Sequence, residues 1–142
     1  MGNDKSYDII DYIDLESYKN LIRNVGWKIL SDKQFLGSLE NTTYISAIKL
    51  DGEVVALARC VGDKFVHGLL CDVMVLEKHR NKHFGTIVVK DIMKKIKENL
   101  NENEEFLLEL CPTAGKVDFY KRCGFKYKPD GMIGMYLWIK NI

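Results

Sequence analysis

The chain has 142 residues, 46% of them hydrophobic and 29% charged, with 21 basic residues against 20 acidic ones. That is the size of one domain, able to bury roughly 70% of its unfolded surface in an ordinary core, and the composition excludes a disordered chain. A net charge of +1 excludes a general nucleic-acid coat.

Tyr7 to Ile13 reads as a short first strand. Leu15, Tyr18, Leu21, Ile22 and Val25 then recur at steps of three and four, one face of a helix that Gly26 ends. Ser31 and Asp32 cap a second helix with Phe35, Leu36 and Leu39 on its apolar face. From Thr42 the period changes. Thr42 to Leu50 and Glu53 to Val61 are β-rich runs joined by Asp51-Gly52, a dipeptide favoured in tight hairpins. Gly62-Asp63 repeats the turn signal, and Lys64 to Leu76 supplies a third strand. Val88, Val89, Ile92, Met93, Ile96 and Leu100 form one stripe of a long helix. Glu105 to Leu110 is a short strand, Ala114 to Cys123 a helix stopped by Gly124, and Phe125 to Tyr127 and Met132 to Ile139 two last strands. The order β-α-α-β-β-β-α-β-α-β-β describes a single α/β domain over residues 1–142, with a mixed sheet.

Cys60, Cys71, Cys111 and Cys123 contain no C-x-x-C pair, and His67, His79 and His83 lack the spacing and flanking Glu of a metal motif, so no metal is expected. No apolar run approaches the ~18 residues of a membrane helix. The start, MGNDKSYDII, lacks a signal peptide's blocks. A cytoplasmic protein with reduced thiols, binding neither membrane nor nucleic acid, is the expectation.

The chemistry concentrates between Cys71 and Thr86, where a buried strand runs into a cationic loop and a glycine opens the long helix. The first turn of a helix offers unpaired N–H groups and the positive end of its dipole, and Arg80, Lys82 and His83 add charge there, so a pyrophosphate is the natural guest. The same residues would also make a solvated basic cap.

Arg80-Asn81-Lys82-His83-Phe84-Gly85-Thr86 resembles the acetyl-CoA-binding signature Q/R-x-x-G-x-G/A of the GNAT acetyltransferase superfamily. Arg80 and Gly85 are kept. His83 replaces the first glycine, and His enters the left-handed region more readily than β-branched residues do. Phe119-Tyr120-Lys121-Arg122-Cys123-Gly124-Phe125 is similar to that family's F-Y-x-x-x-G-F helix ending. Val25-Gly26-Trp27, Asp72-Val73-x-Val75 and Pro129-Asp130-Gly131-x-x-Gly134-Met135 are similar to a subgroup holding plant plastid serotonin/lysine acetyltransferases and small bacterial proteins.

The resemblance implies a mostly antiparallel sheet of seven strands flanked by four helices, and an amine N-acetyltransferase working by direct attack in a ternary complex. It places the pantetheine arm of acetyl-CoA against the backbone of Val73, Met74 and Val75, and the pyrophosphate on Arg80, Asn81, Lys82, His83, Phe84, Gly85 and Thr86. Tyr120 matches the acid that protonates the leaving thiolate. Asp72 is the carboxylate best placed to take the amine's proton, or else it pairs with a neighbouring cation; in this family water chains often serve in place of a single base. Trp27, Tyr44, Tyr136 and Trp138 are nominated for the acceptor, expected to be a small-molecule amine, and the family likeness allows a homodimer. Two other readings stay open: a non-catalytic acyl-CoA sensor, kept alive by His83, and a protein lysine acetyltransferase. A nucleotide-binding domain built on the basic loop lacks the G-x-x-x-x-G-K-[ST] motif.

Overall fold

In this computed structural model, which describes residues 6–128 and 134–142, the elements run β1 (Tyr7–Ile10), α1 (Leu15–Val25), α2 (Asp32–Glu40), β2 (Tyr44–Leu50), β3 (Glu53–Gly62), β4 (His67–Val75), α3 (Phe84–Glu98), β5 (Glu105–Leu110), α4 (Val117–Arg122), β6 (Lys126–Tyr127) and β7 (Met135–Lys140). A 3-10 turn over Glu77–His79 links β4 to the loop before α3. The seven strands form one sheet in the order β1-β2-β3-β4-β5-β7-β6, antiparallel except where β4 meets β5. The expected mixed α/β architecture is therefore present. Met132, expected in the last strand, and Pro129-Asp130-Gly131 lie outside the described residues.

Local chemistry sets the boundaries. Asp14 caps α1 by accepting from the Ser17 backbone N–H at 3.1 Å, and Ser31 and Gln34 form a reciprocal capping box on α2. Asp51 and Gly52 both take positive φ, 50° and 79°, as a two-residue turn matched to strand twist requires. The third long strand starts at His67 and not at Lys64, because one Asp63 carboxylate oxygen accepts from the N–H groups of Phe65, Val66 and His67 and holds that segment as a loop. The last helix starts at Val117, later than the pattern suggested, after Gly115 turns the chain through φ 81°. Leu36, expected to face the core from α2, is exposed; Phe35 is the buried residue of that helix.

Val54 to Cys60 of β3 is buried without a break. Neighbouring residues of a strand point to opposite faces, so this run needs cover on both sides. Helices α1 and α3 supply it, each packing on β3 and β4. The stripe of α3, with Val88, Val89, Ile92 and Ile96 buried, carries most of that cover as the sequence pattern implied. No helix is long and apolar enough to cross a membrane among the described residues.

Candidate active site

The parallel pair β4–β5 has only three rungs: His67 opposite Leu107, Gly68 opposite Leu108, and Leu69 opposite Glu109. Beyond Leu69 the strands part. Leu70, Cys71, Met74 and Val75 keep their partners on β3, Asp72 and Val73 fall at an irregularity between them, and none of the six has a strand partner on the β5 side among the described residues. An unpaired edge inside a sheet presents backbone N–H and C=O groups with nowhere to go, and an extended ligand carrying amides can satisfy them. Val73, Met74 and Val75 lie on this edge. Met74 is 1% exposed, so its contribution there is backbone; its side chain belongs to the core.

At the C-terminal end of β4 the chain forms an anion-ready turn. Asn81 and His83 both adopt the left-handed conformation at φ 65°, and His83, at ψ 13°, is the N-cap of α3. His83 thus takes the backbone shape a glycine would supply. No side chain caps this helix start among the described residues, so the N–H groups of Phe84, Gly85 and Thr86 face outward at the positive end of a 15-residue helix. Phe84 itself is buried against Tyr7, ring centroids 5.3 Å apart, and can serve an anion only through its backbone. Arg80 turns its Nε to the Val75 carbonyl at 3.4 Å, and Lys82 Nζ meets His79 Nδ1 at 3.2 Å. Both cations ring the turn.

Gly85 faces α4. A Cβ there would come within 3.3 Å of the Phe119 ring, and Val75 is the next neighbour. The two sequence blocks singled out above are therefore in contact. Tyr120, next to Phe119, packs edge-on against Phe119 and Phe125, and burial pushes its phenol up to about 12, with the Cys123 thiol a lesser cause. It is held as a protonated donor. Its hydroxyl meets no hydrogen-bond acceptor among the described residues.

Asp72 sits at a bulge. Leu57 and Arg59 of β3 pair with Met74 and Cys71 of β4, so two steps on one strand match three on the other, and Asp72 takes φ 52°. Its carboxylate accepts from Arg59 Nε at 2.7 Å and from the Tyr18 hydroxyl. The alternative noted for Asp72, pairing with a cation, is the one the side chains display. Arg59 is 6% exposed; burial works against its charge, but Asp72 more than offsets that and its pKa is raised. Tyr18 is raised too, by burial and by its bond to Asp72. Burial likewise lifts the Cys71 thiol to about 11, so it stays neutral.

Residues directly opposite in neighbouring strands share a face. Arg59 and Val61 of β3, Leu69 and His67 of β4, Leu107 and Glu109 of β5, and Tyr136 and Trp138 of β7 lie on the α1 side by this rule. The main packing of α1 is on β3 and β4, and farther along this face Leu69 and Trp138 are about half exposed. Glu109 stands on it at the last rung before the opening, with His67 Nε2 and Lys128 Nζ on its two oxygens. The sequence reading missed Glu109, since an acidic residue alternating with leucines looks like a solvent-facing strand position. Tyr136 lies beside it in register.

Trp27 follows α1, whose Asn24 side chain accepts from the Glu77 N–H at 3.0 Å, so this loop borders the end of β4. Tyr44 is elsewhere. It starts β2 and lines a recess of about 280 Å³ with Lys64, Lys95, Glu98 and Asn99, at the C-terminal end of α3 and remote from the turn at its start. An aromatic at the head of a strand does not announce which end or face it will occupy. Among the described residues no group of His, Cys, Asp and Glu is arranged to hold a metal ion.

Comparison with known proteins finds likeness in sequence and in fold. Residues 11–125 match the family described as Acetyltransferase (GNAT) family. The uncharacterized N-acetyltransferase ycf52 of Pyropia yezoensis is 26% identical over 147 residues, covering 94% of this chain and 82% of its own. A protein of unknown function from meticillin-resistant Staphylococcus aureus superposes with TM-score 0.80 at 21% identity, over 93% of this chain and 98% of that one. The ribosomal-protein-S18-alanine N-acetyltransferase of Escherichia coli superposes with TM-score 0.72 at 16% identity, over 94% of each.

Proposed function

The chain belongs to the GNAT family of acetyltransferases, and from that membership we propose that it transfers the acetyl group of acetyl-CoA to a primary amine by direct attack in a ternary complex. The observation that carries this reading is the parting of β4 from β5 after the Leu69–Glu109 rung, directly beside an uncapped helix start. Together they suit a ligand with an amide-bearing arm and a pyrophosphate. The edge of Val73 to Val75 would pair with the arm, while Arg80, Lys82 and the backbone from Asn81 to Thr86 would hold the diphosphate. The αL conformation of His83, the shape a glycine would supply, supports a working loop.

The gap between the strands connects two faces of the sheet. On the α3 side Tyr120 stands as a protonated donor, suited to the leaving thiolate. On the open side Glu109 takes the amine's proton through water, and its contacts with His67 and Lys128 hold it in place. Most of the acceleration then comes from positioning the amine against the thioester. The acceptor is a small-molecule amine seated beside Tyr136 and Trp27. A protein amine is the second reading, favoured by the open apolar strip of Val61, Leu69 and Trp138.

A thermal-shift titration with acetyl-CoA, CoA and ATP tests the cofactor. A ligand at 100 times its Kd stabilises by about 2.7 kcal/mol. A saturable rise with acetyl-CoA and little with ATP is the expected result, followed by thiol release on adding amines or peptides. A flat response to all three ends the proposal.

A further inference from the structure

The Arg59–Asp72 ion pair is more elaborate than a strand needs. Four elements converge on it: Tyr18 of α1 donates to Asp72, Arg59 of β3 donates to the same oxygen, and Asp72 itself belongs to β4. The fourth is α2, because Arg59 Nη1 continues to Thr42 Oγ1 at 2.6 Å and the Ser38 carbonyl at 3.4 Å. The Tyr18 ring lies 5.6 Å from the centre of that guanidinium and packs edge-on against Phe35. One oxygen of the Asp72 carboxylate is the hub, taking both donors.

The location is as telling as the bonding. Asp72 is three residues beyond Leu69, where pairing with β5 stops, and it is the first residue of the edge that pairs with neither strand in register. A bulge adds a residue, bends its strand and increases its twist. The left-handed φ of Asp72 is a conformation an L residue keeps only when its surroundings hold it. Cys71 and Asp72, consecutive residues, both turn to the α1 face, Cys71 by its register with Arg59 and Asp72 by its bonds. That reversal sets the course of Val73 to Val75 along β3 once β5 has parted from β4.

We propose that Tyr18, Arg59 and Asp72 form a positioning latch, tying the β4 bulge to α1 and α2 so that the Val73–Val75 edge stands clear of β5 and open to the acyl-CoA arm. The proposal rests on the acetyltransferase reading and deepens it. Asp72 then acts through the backbone it holds and moves no proton.

The test is a split between binding and chemistry. The double variant R59M/D72N removes both charges, so neither is left buried alone. It should weaken acetyl-CoA binding, measured by calorimetry, roughly 10-fold, since small displacements at a positioning site cost that much or more. Its kcat at saturating acetyl-CoA should stay within about 3-fold of wild type, with the acid limb of the pH–rate profile unmoved. Should the double variant fail to fold, Tyr18→Phe keeps the ring and removes only the donor, and should weaken binding about 3-fold with the same unmoved limb. Unchanged affinity in the folded variants overturns the latch. So does a collapse of kcat with the acid limb lost and affinity kept, which would make Asp72 the base. A wild-type protein that does not bind acetyl-CoA at all refutes the acetyltransferase reading first, and the latch with it.

Discussion

Gly85 and Phe119 approach so closely that a Cβ on the glycine would fall 3.3 Å from the Phe119 ring. One belongs to the turn that opens α3, the other to the helix that carries Tyr120. The missing side chain at Gly85 therefore sets how near α4 lies to the phosphate turn. Replacing Gly85 with Ala gains helix propensity, up to ~1 kcal/mol, against a contact that must give by a few tenths of an ångström. Stability should stay within about 1 kcal/mol of wild type, while Gly85→Val should lose about 2 kcal/mol or more by overpacking. Urea unfolding of the two variants checks this; equal stability for Val and Gly would mean that α4 is free to move.

Tyr120→Phe removes the proposed acid while keeping the ring packed on Phe119 and Phe125. We expect kcat to fall roughly 100-fold with little change in acetyl-CoA affinity. The wild-type phenol is raised from 10.0 to about 12 by burial, so it keeps its proton and its function up to pH 10. Above pH 10 the unfolded chain ionises first, and stability declines as pH rises toward 12. An alkaline fall in rate well below pH 10 that disappears in Tyr120→Phe would contradict this environment.

Glu109→Gln keeps the shape of the side chain at the last β4–β5 rung and removes its charge. The expected outcome is a kcat lower by about 100-fold, acetyl-CoA affinity unchanged, and the acid limb of the pH–rate profile displaced. If instead the rate holds, the amine reaches its attacking form without a carboxylate on this face.

His83→Gly should be silent or better. Glycine takes the left-handed φ without penalty, whereas a residue with a Cβ pays roughly 1–2 kcal/mol there. Acetyl-CoA affinity should hold in His83→Gly and fall sharply in His83→Val, for which that region is an outlier. A loss of binding in the glycine variant would assign the imidazole a direct contact with the ligand.

The periodic features were legible before the structure: the helix faces of α1 and α3, the Asp51-Gly52 hairpin, the left-handed demand at His83. Each depends on residues near in sequence. What was not legible depends on register. Asp72 looks like any strand-edge carboxylate until β3 and β4 are paired and one residue is left over. Glu109 acquires its place only because β5 lies beside β4 for three rungs, and Tyr44 stands by the C-terminal end of α3 because β2 begins there. Arg80 and Lys82 stand at the turn before α3, but their partners there, Val75 and His79, could not be read from spacing.

Three rungs are also a mechanical seam. Between β4 and β5 the sheet has three paired positions, at His67, Gly68 and Leu69, flanked by a bond from the Leu107 N–H to the Val66 carbonyl, whereas β5 and β7 share six paired positions and β2 and β3 seven. Strain applied to the molecule should concentrate on the short stitch. A ligand lodged in the gap would bind both margins at once and act as the missing stitches. Amide hydrogen exchange along Leu107 to Glu109 should accordingly be quicker than along Val55 to Ala58 in the free protein, and should slow when acetyl-CoA is added.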